Sequence, residues 1–224
     1  MRFSRTFVPY GAYWSTPFCK WQGSLAHLSA IPFAADTARK ALADRRIEAG
    51  ALDGVSLGMT VLQKHQLYAG PWFAAMIGAE GITGPTISQA CATGARTIAA
   101  TAAEIDAGSE RTILAVTADR CSNGPHVYFP NPGGPGGTGD KEDIVLDSFG
   151  FDPWAKNSMI QTAENVAAEA GITRQHQDEC TLVRYEQYQR ALADDSAFLK
   201  RFMILPFEVK DASFRKAVGT VAGD

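Results

Sequence analysis

Over its first half the chain alternates between short apolar runs and longer helical patterns. Residues 54–61 (GVSLGMTV) are apolar and short, and residues 112–117 (TILAVT) repeat the pattern; both predict buried strands. Between them, residues 72–79 predict a helix after the Gly70-Pro71 break, and residues 85–89 a brief strand after Gly84-Pro85. Residues 91–107 predict a further helix, closed by Gly108 as its C-terminal cap. Earlier, Pro32 opens an Ala-rich stretch running to Arg45-Arg46, which predicts a helix with Pro in its first turn. Residues 2–12 alternate loosely and predict a first strand, broken by Thr16-Pro17-Phe18. Strands alternating with helices imply βαβ units, a mostly parallel sheet and helices on both faces.

The pattern changes after Ala118. Residues 130–139 (PNPGGPGGTG) carry no apolar periodicity and predict a flexible loop. Residues 158–193 read as helical in two segments separated by Gly171-Ile172-Thr173, with Thr173 as N-cap followed by Gln175 and Gln177. Residues 204–209 predict a short strand. The expected organisation is an α/β domain over 1–118 and a mainly helical domain over 119–224. No repeat of solenoid period is present.

Composition narrows the class. The chain has 224 residues, 46% hydrophobic and 20% charged, which is the profile of a folded protein. A net charge of −3 without a basic cluster argues against nucleic acid as a partner. No apolar stretch reaches the length of a membrane span, and the first ten residues lack a signal-peptide core. The expected location is cytoplasmic, without membrane attachment. Cys19, Cys91, Cys121 and Cys180 are widely spaced, with no Cys-x-x-Cys pair or Cys/His cluster, so no metal site is expected.

Ser88-Gln89-Ala90-Cys91-Ala92-Thr93-Gly94-Ala95 is the segment with chemistry in it. A strand ends and a helix begins beside a cysteine. The first turn of a helix offers unpaired N–H groups and the positive end of the dipole. Such surroundings favour the nucleophilic thiolate form, and the same N–H groups can stabilise an oxyanion. Ala92, Thr93, Gly94 and Ala95 leave room for a substrate, and Ala99, Ala100, Ala102 and Ala103 predict a helix buried inside a larger body. Spacing alone leaves a second reading open, that of a core cysteine at a strand–helix junction.

These residues resemble the thiolase family. Residues 11–30 (GAYWSTPFCKWQGSLAHLSA) are similar to the family's Thr-Pro-Phe-Gly-Lys and Gly-Ser-Leu segments. Residues 58–63 (GMTVLQ) resemble its Gly-Asn-Val-Leu-Gln strand end. Residues 88–108 resemble the nucleophile segment, which usually reads Cys-Gly-Ser-Gly or Cys-Ala-Ser-Gly. Residues 117–125 (TADRCSNGP) look like the Gly-x-Glu-Ser-Met-Ser-x-Ala-Pro turn. Residues 162–167 (TAENVA), 172–178 (ITRQHQD) and 189–191 (QRA) follow the helices of the family's loop domain. The resemblance implies a layered αβα fold: the N-terminal half, an incomplete five-stranded mixed sheet lacking its last strand, followed by a substrate-covering loop domain. It implies an acyltransferase that cleaves a 3-ketoacyl-CoA, or condenses acyl-CoAs, through a thioester on Cys91. Coenzyme A and acyl-CoA enter as substrates, and no cofactor is bound permanently. Met159 stands where the family has a Met lining the substrate pocket; Ser158 stands where it often has a His.

Thiolases are longer than this chain. Residues 219–224 (GTVAGD) resemble the stretch that leads into the last strand of their N-terminal half. The C-terminal half supplies the base histidine of a Gly-His-Pro motif and a second cysteine. His27, His65, His126 and His176 all lie in segments whose family counterparts are not catalytic. The resemblance therefore implies a second subunit carrying that half, in an α2β2 or larger hetero-oligomer. The competing expectation is a non-catalytic scaffold subunit of a condensing-enzyme complex. Only residues 211–218 separate the run 206–210 from the Gly-Thr-Val segment, shorter than the family's coenzyme A-binding stretch. Residues 129–155, with Phe149, Phe151 and Trp154, line an aromatic or branched acyl site on one reading and staple a loop on the other.

Overall fold

The computed structural model describes residues 2–109 and 111–223; Met1 and Asp224, the outermost residues of the two terminal segments read above, lie outside them. In chain order its first elements are α1 (Ala30–Asp44), β1 (Gly54–Gly58), α2 (Ala69–Met76), β2 (Thr86–Ile87), α3 (Thr93–Ala107) and β3 (Ile113–Thr117). Then come β4 (His126–Phe129), β5 (Asp140–Asp143), α4 (Leu146–Gly150), α5 (Met159–Glu169), α6 (Arg174–Ser196), β6 (Phe207–Lys210) and β7 (Ala217–Val221).

Two compact units result. One runs to Asn123 and takes in Phe202–Ala222; the other is Gly124–Arg201 with Gly223. The expectation gave everything after 118 to the second domain, whereas the segment from Phe202 belongs to the first unit. Ser15 N–H donates to the Phe202 carbonyl at 2.8 Å, and Ile204 N–H donates to the Ser15 carbonyl at 2.9 Å. Lys210 Nζ donates to the Asp36 carboxylate at 2.8 Å, tying β6 to α1.

The first unit is built on a parallel sheet of order β2-β1-β3. Among the described residues this is the parallel core of the expected α/β fold; β7, from the Gly-Thr-Val segment, pairs antiparallel with β6 instead of joining it. The central strand β1 is buried throughout. Its side chains alternate in size as well as in direction. Val55 and Leu57, followed by Met59, enter the core with Ile31, Ala35 and Phe73 of α1 and α2. Leu114 and Val116, opposite Val55 and Leu57 in register, pack on the same cluster. Gly54, Ser56 and Gly58 face the other way. A Cβ on Gly58 would collide with Thr97 Oγ1 and stand 2.8 Å from Thr117 Cγ2 and 3.0 Å from Thr93 Cγ2. The small face of β1 therefore lets α3 approach closely, with helices on both sides of the sheet.

α3 differs from the buried helix expected. Thr93, Thr97, Thr101 and Ala102 are its buried residues. Ala95, Ile98 and Ala103 on its outward face are exposed, Ile98 at 59%. Gly108 caps it as predicted, left-handed at φ 80°, with its N–H on the Glu104 and Ile105 carbonyls.

Two further expectations give way. Residues 2–12 form no strand: Ser4 and Arg5 N–H donate to the Asp106 carboxylate at 2.8 and 3.0 Å, and the Thr6 hydroxyl donates to Asp106 at 2.7 Å. A side chain at the end of α3 thus takes donors that a ladder would otherwise need. α2 begins before Gly70-Pro71 rather than after it, because a proline in a first turn sacrifices an N–H that has no helical partner.

In the second unit, β4 and β5 form an antiparallel hairpin, and residues 130–139 are the loop that joins them, as expected. α5 and α6 occur where predicted. Thr173 caps α6 in a capping box, with its hydroxyl accepting from His176 N–H and His176 Nδ1 accepting from Thr173 N–H, both at 3.3 Å. The third-position partner is His176, not a glutamine. None of the helices described is long and apolar enough to cross a membrane.

Two outcomes follow for stability. Gly58→Ala forces α3 away from β1 and is expected to cost about 1–3 kcal/mol, read as a lower urea midpoint at unchanged slope. Asp36 loses water on burial, which alone would raise its pKa, but hydrogen bonds from Lys210 and Arg39, with the charges of Lys210 and Lys40, hold it below the ordinary 3.8. A carboxylate with a lowered folded-state pKa stabilises the fold fully above that ordinary value, and the contribution is lost as pH falls through the lowered one. Asp36→Asn should therefore unfold more easily than the parent near neutral pH, with the gap closing in strong acid; thermal melts across an acid series check this.

Candidate active site

The carboxyl ends of β1, β2 and β3 converge, and open α/β sheets bind their ligands at that edge. After β2, Ser88 and Gln89 lead into a single 3₁₀ turn, Ala90–Ala92, and α3 starts at Thr93. Cys91 sits in this turn, immediately ahead of the helix rather than inside it as expected, and it is exposed. The alternative of a sealed core cysteine does not hold in this chain.

Ala90, directly before Cys91, has φ 44°. For an L-residue the left-handed region costs roughly 1–2 kcal/mol, and it persists only where neighbours impose it. Here they do. Thr93 Oγ1 accepts from Gln89 N–H at 2.8 Å and donates to the Ala90 carbonyl at 2.7 Å. Thr60 Oγ1, just past β1, reaches the same carbonyl at 3.0 Å and Thr93 Oγ1 at 3.1 Å. The Thr93 N–H completes the turn on the Ala90 carbonyl.

Thr60 is held in its turn from β3. The Asp119 carboxylate accepts from Thr60 N–H, at 3.0 Å by Oδ1 and 2.9 Å by Oδ2, and from Val61 N–H at 2.8 Å. One side chain thus ties the ends of β1 and β3 together beside the turn that carries Cys91. The sequence marks Thr93 only as a small residue leaving room for a substrate, and it does not mark Thr60 or Asp119. The available signal was positional: Thr60 and Asp119 each fall two residues beyond the end of a parallel strand, of which β1 is buried as expected and β3 only partly so.

Partial burial, and then the Asp119 charge, raise the Cys121 thiol pKa above the ordinary value, which disfavours a thiolate. Cys121 lines a cleft of about 540 Å³ beside the end of β3, together with Trp14, Phe33, Thr117 and Arg120. A shallower groove of about 750 Å³ beside β2 is lined by Leu62, Leu67, Pro71, Thr86 and Ser88. Cys91 lines neither.

The other expected site residues lie in the second unit. Ser158 is the N-cap of α5, its Oγ accepting from Gln161 N–H at 3.2 Å, and Met159 is the first helical residue, 47% exposed. The four histidines have local partners. His27 Nε2 is 2.7 Å from the Lys210 carbonyl, and His65 packs edge-on to Trp72. His126 is 3.9 Å from Asp143, and His176 closes the capping box. Among the described residues, no three His, Cys, Asp or Glu side chains group to hold a metal.

The family model for the thiolase N-terminal domain matches residues 12–221. The acetyl-CoA acetyltransferase of Yarrowia lipolytica is 30% identical over 211 residues, covering 93% of this chain and 51% of that protein. The acetyl-CoA acetyltransferase of Escherichia coli is 32% identical over 186 residues, covering 81% of this chain and 46% of its own length. The fold is similar to that of the Bacillus anthracis acetyl-CoA acetyltransferase, with a TM-score of 0.79 at 24% identity, over 93% of this chain and 52% of the other. The chain thus spans about half the length of the relatives it matches. With the family model covering almost all of it, and parallel strand ends converging beside Cys91, the chain belongs to the thiolase family as its N-terminal domain.

Proposed function

We propose that this chain is the nucleophile-bearing part of a thiolase-type acetyl-CoA C-acyltransferase, with Cys91 forming the acyl thioester. The observation that carries the proposal is an exposed cysteine at the head of α3, at the carboxyl edge of the parallel sheet, in the segment that resembles the family's nucleophile segment. In thiolysis the Cys91 thiolate attacks the 3-keto carbonyl of a 3-ketoacyl-CoA. An S–C bond forms, the bond between C2 and C3 breaks, and acetyl-CoA leaves after its carbanion takes a proton. The thiol of coenzyme A then attacks the thioester, giving a shortened acyl-CoA and returning the thiolate. Condensation is the reverse. Coenzyme A and its thioesters are substrates in this scheme, and no resident cofactor takes part. By the resemblance, Met159 and Ser158 contact substrate in the assembled enzyme.

Both proton transfers need a positioned base. The four histidines of this chain are engaged elsewhere, so we assign the base histidine and the second cysteine to the thiolase C-terminal half, on a second subunit of a hetero-oligomer, α2β2 or larger. Two surfaces support that assignment: the outward apolar face of α3, with Ala95, Ile98 and Ala103, and the edge of β3 away from β1. Unpaired strand edges and exposed apolar faces favour a partner. We place the enzyme in the cytoplasm, a reducing setting that suits its four free cysteines.

Cys91→Ser in the assembled enzyme is expected to lower acetoacetyl-CoA thiolysis by roughly 10³-fold or more and to abolish hydroxylamine-sensitive labelling by radioactive acetyl-CoA. Full activity in that variant, or an unlabelled Cys91 in the active complex, would refute the nucleophile and leave the scaffold role. Purified alone, the chain is expected to be inactive and self-associating. A soluble monomer with one cooperative melt would sink the obligate partner.

A further inference from the structure

We infer that Thr60 and Thr93 are positioning residues for Cys91, holding through the Ala90 carbonyl the left-handed turn from which its side chain departs. The inference rests on the proposed nucleophilic role of Cys91. The thiol needs a fixed direction, because attack on a carbonyl depends on the approach of the sulfur. Direction at Cys91 is set by the peptide before it, and that peptide belongs to Ala90 at φ 44°. An alanine does not keep this conformation unaided.

The restraint has two arms. Thr93 grips the turn from within: its hydroxyl takes the Gln89 N–H and gives its own proton to the Ala90 carbonyl. Thr60 grips it from outside, from the far end of β1. Its single hydroxyl proton is divided between the Ala90 carbonyl at 3.0 Å and Thr93 Oγ1 at 3.1 Å. Asp119 fixes Thr60 through the backbone N–H, which a side-chain substitution leaves in place. The ends of three strands are thereby coupled to one sulfur: β3 through Asp119, β1 through Thr60, β2 through Ala90.

Thr60 is the arm that can be tested cleanly. It is exposed, so removing its hydroxyl opens no core cavity, whereas Thr93 is buried against Gly58. Cys180, exposed on α6 in the other unit, serves as internal reference. Initial rates of iodoacetamide alkylation at both cysteines are measured in the assembled enzyme, in one tube, by peptide mass spectrometry. The parent chain should show Cys91 reacting faster than Cys180. Thr60→Val should lower the Cys91:Cys180 rate ratio about tenfold, the worth of one hydrogen bond, and Thr60→Ser should restore it. Thr60→Ala, which removes the hydroxyl without adding bulk, should match Thr60→Val.

An unchanged ratio in both hydroxyl-free variants, or no recovery with Ser, overturns the positioning role while a fast parent Cys91 keeps the nucleophile. A parent Cys91 no faster than Cys180 removes the nucleophile reading itself, and the inference with it.

Discussion

The close approach of α3 to β1 is the contact on which the rest of this structure depends. Gly54, Ser56 and Gly58 present almost no side chain on one face of the central strand, and Thr93, Thr97 and Thr101 line the buried stripe of the helix. Across the strand the opposite holds, with Val55 and Leu57 filling the space below α1 and α2. One five-residue strand therefore sets the spacing of both layers. Were its small face larger, α3 would stand off, and hydrogen bonds of about 3 Å between Thr60, Ala90 and Thr93 would not close. The same tightness explains two buried hydroxyls without partners, Ser56 Oγ and Thr101 Oγ1. Each costs about 1–3 kcal/mol of desolvation, so shape rather than polarity accounts for a small residue there.

From that contact the site follows by geometry. Parallel strands send all their carboxyl ends to one edge, and the helix that packs on the sheet begins at the same edge. Cys91 lies where a strand hands over to that helix. Asp119 and Thr60 tie the neighbouring strand ends by short hydrogen bonds, so the turn inherits the rigidity of the sheet. A reactive group on a rigid element is held more sharply than one on a free loop.

Much of this was legible in the sequence because period and length carry it. The runs around Val55 and Leu114 read as strands, and α1, α3, α5 and α6 as helices, with Gly108 and Thr173 as caps. What was not legible needed tertiary information. Residues 2–12 alternate like a strand, yet Asp106, a hundred residues on, takes their donors. Gly70-Pro71 looks like a break and is a first turn. Residues 130–139 read as a loop, as they are, but the pairing of the segments flanking them was not read. At the site, Cys91 stood out by its segment, while Thr60 and Asp119 did not. They matter only because three strand ends meet, and no local pattern records a meeting between residues some 30 and 60 positions apart.

α3 has an inverted character that bears on assembly. A helix at the surface of a domain ordinarily turns its apolar side inward and its polar side to water. This one turns threonines toward its own sheet and Ala95, Ile98 and Ala103 away from it. Threonine hydroxyls facing inward can bond their own helix, as Thr97 Oγ1 does to the Thr93 carbonyl at 2.8 Å, which satisfies part of the inward face without large apolar groups, although Thr101 Oγ1 stays unpartnered. Ala95 and Ala103 leave room for a second body beside Ile98, with Arg96 also exposed on that side. That is the composition of a helix placed between two layers. Because Cys91 heads this helix, whatever covers its outer face also borders the thiol. On the function proposed above, a subunit seated on this face would complete the fold and bring the base to Cys91 in a single event.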